Sequence, residues 1–138
     1  MYRLYLLLVL LLSGCVSTSL TSDVDPQTDL QSLQSFLVLK FEPDRRGIEH
    51  MIATELKARG LKADAAVVRP EEVTADAVVT YVDKWMWDMT NYMIELTIEL
   101  HDPKTDYLLA TARSYRTSLA RKSPEEMVAE VLGKLFDE

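Results

Sequence analysis

The chain has 138 residues, 22 of them acidic and 15 basic, for a formal net charge of −7. Its Lys and Arg residues stand singly or in pairs, so the basic clusters that phosphate contacts require are missing and nucleic acid is excluded as a partner. A single cysteine rules out an intramolecular disulfide, which leaves a hydrophobic core of one small domain as the source of stability.

The chain opens Met1-Tyr2-Arg3 and then runs apolar from Leu4 to Leu12. A basic start followed by a short apolar run predicts a secretory signal over residues 1–14, because a membrane span needs about 20 apolar residues. Leu12-Ser13-Gly14-Cys15 closes that run. It resembles the lipobox of bacterial lipoproteins, in which an apolar residue and two small residues precede a cysteine. The resemblance implies cleavage between Gly14 and Cys15 and a diacylglycerol thioether on Cys15, a residue type suited to the reaction because a thiolate is the best side-chain nucleophile near neutral pH. It also implies an N-acyl chain on Cys15, so that the protein is palmitate-labelled and anchored almost irreversibly, since one chain alone holds only marginally. No other cofactor is expected. In such lipoproteins an aspartate after the cysteine favours the inner membrane, and Val16 stands there instead. The expected location is therefore the outer membrane, facing the periplasm, with the inner membrane as the alternative.

Residues 15–34 carry the lipidated cysteine and a stretch rich in Ser, Thr, Asp and Gln, with Pro26. Its low apolar content predicts a flexible tether, and residues 35–138 form the single folded domain. Phe36 to Phe41 is a β-prone run ended by Pro43. Ile48, Met51, Ile52 and Leu56 recur at helical spacing up to Gly60, which predicts a helix over 45–59. Ala65 to Val68 is a candidate short strand. Three further strands are predicted over 77–87, 92–100 and 107–117; in the second, Tyr92, Ile94, Leu96, Ile98 and Leu100 alternate with Met93, Glu95, Thr97 and Glu99. Placing Leu100 opposite Leu108 sets Ile98 against Ala110 and brings Glu95 to Arg113 as an ion pair. Ser123, Pro124 and Glu126 form a capping box that starts a final helix with an apolar stripe from Met127 to Phe136. The expected fold is α+β: a mainly antiparallel sheet of four to five strands, two helices on one face, in the order β-α-(β)-β-β-β-α.

Chemistry-bearing residues are sparse. His50 and His101 are matched to no serine or metal spacing and are expected at the solvated surface. The acidic pairs Glu71-Glu72, Glu125-Glu126 and Asp137-Glu138 point apart from residue to residue and read as solvated charge. Neither a catalytic site nor a metal site is expected. The distinctive feature is the aromatic and methionine cluster from Tyr81 to Met93. With an even-numbered loop between the strands, Trp85 and Trp87 cap the core; with an odd-numbered one they join Met93 and Tyr115 on an exposed interaction surface. A mixed outcome is expected, one ring buried and the other exposed, because Asp83 and Lys84 mark a strand end leaving the core.

Phe36-Leu37-Val38-Leu39-Lys40-Phe41-Glu42, Leu56-Lys57-Ala58-Arg59-Gly60-Leu61 and Ala75-Asp76-Ala77-Val78-Val79-Thr80-Tyr81-Val82 resemble small envelope lipoproteins of the curli-secretion and penicillin-binding-protein-activator types. The resemblance spans roughly 36–137 and implies fold alone. Together these features point to a non-enzymatic accessory lipoprotein that binds another envelope protein near a membrane. The alternative is a small-ligand or glycan-binding module at Trp85 and Trp87.

Overall fold

The computed structural model describes residues 16–138. The expected signal sequence and the Gly14-Cys15 cleavage and lipidation site lie outside the described residues. Six strands form one mixed sheet: β1 (Thr18–Val24), β2 (Ser35–Leu39), β3 (Lys62–Ala66), β4 (Ala77–Asp88), β5 (Thr90–His101) and β6 (Leu108–Arg116), in the spatial order β1-β6-β5-β4-β2-β3. Helices α1 (Ile48–Ala58) and α2 (Pro124–Phe136) pack together on one face.

The expected four to five strands become six because the segment read as a tether is ordered. Thr18–Val24 pairs with β6 along its whole length, and a turn of 3₁₀ helix at Leu30–Ser32 buries Leu30 against the core. Low hydrophobicity does not prevent an edge strand, since most of what β1 needs is the open backbone of a longer neighbour. Three of the pairings, β1–β6, β6–β5 and β5–β4, are antiparallel; β2 lies parallel to both β4 and β3. That parallel part follows from α1, which carries the chain from β2 back to the start of β3.

The core is a single cluster. Phe36, Val38, Val79, Tyr81, Leu96, Ile98 and Leu100 of the sheet meet Ile48, Ile52 and Leu56 of α1 and Met127, Val131 and Leu132 of α2. Small Ala110, Ala112 and Ser114 on β6 let α2 approach, and Ser114 donates a hydrogen bond to Glu130 Oε2 at 3.1 Å. Gly60, at φ +83°, ends α1 in the left-handed conformation that residues with a Cβ disfavour. Ser123 and Glu126 form the expected capping box at α2.

The β5–β6 register departs from expectation by two residues: Leu100 faces Ala110 and Ile98 faces Ala112. One residue of the shift comes from the connecting loop, where Asp102 Oδ1 accepts from the backbone N–H of Lys104 and Thr105 and Asp106 turns through φ +61°, and the other from a bulge between Leu100 and His101. From Leu100 back to Glu95 the shift of two keeps each side chain on its expected face, whereas the bulge sets Leu108 opposite His101 and leaves it exposed rather than in the core. The Glu95–Arg113 ion pair therefore survives, diagonally, at 2.9 Å.

Candidate functional site

The β4–β5 hairpin is longer than the strands around it. Beyond the Glu95–Tyr115 rung, Trp85 to Asp88 and Thr90 to Met93 pair only with each other, and the hairpin turns at Met89 with φ +59°. The projecting tip exposes apolar side chains: Trp87 is 71% and Met89 87% exposed, and Met86 is open too. Leu119, in a 3₁₀ turn after β6, adds a residue that is 71% exposed.

This tip stands beside the point where the described chain begins. Ser17 and Thr117 are paired, with the Ser17 N–H donating to Thr117 Oγ1 and the Thr117 N–H donating to the Ser17 carbonyl, both at 3.1 Å. The next residue, Ser118, is hydrogen-bonded to the Asp88 carboxylate at the hairpin turn. Arg121 ties the same two parts together, donating to Thr90 Oγ1 at 2.7 Å and to the Asp88 carbonyl at 3.2 Å. Val16, one residue after Cys15, is itself exposed. One end of the molecule thus gathers Ser17 at the start of the described chain and the exposed Met86, Trp87, Met89 and Leu119.

The two tryptophans divide between the expected readings. A bulge between Lys84 and Trp85 sets Trp85 opposite Met93 and Trp87 opposite Asn91. Trp85 packs against the core, its Nε1–H donates to Asp83 Oδ2 at 2.6 Å, and the Arg46 guanidinium lies 3.7 Å from its ring centre. Trp87 is outside. Met93, expected with the exposed set, is buried at 1% exposure, because the bulge turns it under the hairpin. Tyr115 is half-buried beside Arg113 rather than part of an open platform. Arg46 over Trp85 and Arg121 over Tyr92, at 4.6 Å, occupy the aromatic faces on which a sugar would stack.

Sequence reading missed a buried polar cluster. The Tyr81 hydroxyl lies 2.8 Å from Asp44 Oδ2 and 3.1 Å from Glu49 Oε2, with both carboxylates almost wholly buried. Asp44 also accepts from the N–H of Arg46 and Ile48, at 2.6 and 2.8 Å, and so caps α1. Burial works against ionisation of Asp44, but these donors outweigh it and hold its carboxyl below the ordinary range. Burial and the two acids raise the Tyr81 hydroxyl. The partners lie far apart in sequence; an Asp four residues before a helical stripe was the one available signal.

His50 is exposed as expected, whereas His101 is not a solvated residue. Its Nε2 lies 3.0 Å from Thr80 Oγ1 and 3.1 Å from Glu99 Oε2, and its Nδ1 3.2 Å from the Asp106 carbonyl, which fixes the ring at the strand end. Glu126 closes the α2 cap, Asp137 pairs with Arg59 and Glu138 with Lys134, so these acids serve the helices. Among the described residues, no group of metal-ligating side chains converges, and no helix is long and apolar enough to cross a membrane.

No known protein family matches the sequence, and no curated protein is similar to it by sequence. Among solved structures, the fold is similar to the PelC dodecamer from Paraburkholderia phytofirmans, with TM-score 0.61, 18% identity, and 86% of this chain and 97% of that chain covered. A variant of the same dodecamer with one leucine replaced by methionine matches at TM-score 0.61 and 19% identity, with the same coverage. TolB from Acinetobacter baumannii is more distant, at TM-score 0.45 and 14% identity over 89% of this chain and 32% of that one.

Proposed function

We propose that this chain is an accessory lipoprotein of the bacterial cell envelope, anchored through acyl chains on Cys15 and acting by protein assembly rather than by catalysis. The outer membrane, periplasmic leaflet, is its proposed location. The observation that carries the reading is the convergence of Val16, Trp87, Met89 and Leu119 on one end of the domain. An anchor one residue before Val16 would hold that end against the bilayer, where tryptophan and methionine side chains can enter the boundary between headgroups and acyl chains. The domain would then be fixed in orientation by two contacts, the lipid and the hairpin tip. Similarity to a dodecameric protein supports self-association as part of this role.

Replacing Cys15 by Ser should abolish incorporation of labelled palmitate and leave an uncleaved or soluble precursor; unchanged labelling overturns the anchor. In a lipidated Trp85→Phe variant, brominated phospholipids should quench the remaining Trp87 fluorescence. Absence of quenching overturns the membrane-facing tip.

A further inference from the structure

Both edges of the sheet are open among the described residues, β1 on one side and β3 on the other. Hydrogen bonds at the strand ends show which backbone groups face outward. In β1, the Thr117 N–H donates to the Ser17 carbonyl and the Asp25 N–H to the Leu109 carbonyl, so odd-numbered residues bond to β6 and the N–H and C=O of Leu20 and Ser22 face away. In β3, the Lys62 N–H donates to the Gln34 carbonyl and the Ala66 carbonyl accepts from Lys40, which leaves the groups of Ala63 and Ala65 facing away. Natural edges are normally blunted by a proline, a lysine or a bulge. β1, Thr-Ser-Leu-Thr-Ser-Asp-Val, has none of these.

We propose that β1 of one copy adds antiparallel to β3 of the next, with Ser22 opposite Ala63, so that copies join head to tail in the plane of the membrane. This rests on the anchoring argued above, which requires every copy to stand the same way up. Within one copy β1 runs antiparallel to β3, so same-way-up neighbours meet with antiparallel edges, as the pairing needs. Antiparallel pairing of β1 with β1 turns one copy upside down and carries its anchor off the membrane. The register sets Asp23 against Lys62, both exposed and neither ion-paired among the described residues. It also brings Leu20 over Ala65 and gives the exposed Val67 and Val68 strand partners at Thr18 and Ser17. A head-to-tail contact of this kind closes into a ring when the rotation per copy allows it.

Thr21 and Asp64 become directly opposed without hydrogen bonds between them, a geometry with Cα atoms about 4.5 Å apart, within disulfide reach. The test uses the lipidated full chain in detergent and in membranes. Oxidation of a T21C/D64C double variant should give a ladder of covalent oligomers, and each single variant should stay monomeric on denaturing gels. Ser22→Pro removes an outward N–H and no internal bond, and should shift the native assembly to monomer while palmitate labelling persists. A dimer from either single variant, or a chain that is monomeric throughout, overturns the proposal. An assembly that gives no ladder and is indifferent to Ser22→Pro overturns the edge pairing and leaves the lipoprotein reading standing, whereas loss of labelling in the wild-type chain overturns that reading itself.

Discussion

Trp85 and Trp87 lie two residues apart on one strand yet do different work. Trp85 is held by the Asp83 hydrogen bond, the Arg46 guanidinium and the core edge, whereas Trp87 reaches past all of them. Trp85→Ala should therefore cost about 3 kcal/mol, the low end for an aromatic deletion because the ring is only partly enclosed. Trp87→Ala should stay within about 0.5 kcal/mol of wild type, as surface substitutions do. Urea denaturation of the two single variants checks this, and equal losses would contradict the assignment. One ring buried and the other exposed is the outcome expected from Asp83 and Lys84 at the strand end. The bulge at Lys84/Trp85 lies before both rings, so it is the position of Trp87 further along the projecting hairpin, past the core edge, that separates them.

At the scale of the element, β1 is where composition misled. Of its seven residues only Ser19 and Val24 are half-buried and the rest are exposed, so its order comes from the β6 ladder. Amide exchange in the unlipidated Cys15→Ser chain should show alternation: the N–H groups of Ser19, Thr21 and Asp23 slowed at least about tenfold relative to Leu20 and Ser22. Uniformly fast exchange would restore the tether reading. Helix α2, in contrast, was legible from its own residues, because a capping box and an apolar stripe are local signals read within one turn of each other. The parallel placement of β2 and β3 carried no local signal.

At the scale of the whole molecule, several carboxylates are ionised as part of the native structure. Glu130 is held low by Arg116 at 2.6 Å, with Ser114 and Lys122 adding to it; Glu95 is held low by Arg113 and Lys84; Asp44 is held low by its backbone donors and Tyr81. A carboxylate whose native pKa lies below its unfolded value binds protons more readily when unfolded. Its contribution is complete above the unfolded value of about 4 and is lost as pH falls through the lowered native one. Stability should thus hold near neutrality with respect to these groups and fall below about pH 4. Glu130→Gln should be less stable at pH 7 and lose less on acidification. Chemical denaturation from pH 3 to pH 7 measures both, and a wild-type stability equal at the two ends would refute the account.

What the sequence determined by itself was local: the apolar start and lipobox-like Leu12 to Cys15, the strand alternation from Leu96 to Leu100, the cap and stripe of α2, and the α+β class that these imply. Tertiary structure alone decided the sixth strand, the mixed order of the sheet, the buried Asp44–Tyr81–Glu49 cluster and the placement of the start of β1 at the end that carries the hairpin tip. The division has a physical basis. Periodicity and capping depend on neighbours a few residues away, whereas an edge strand, a shared carboxylate site and an exposed apolar end depend on which distant segments the closed fold brings together.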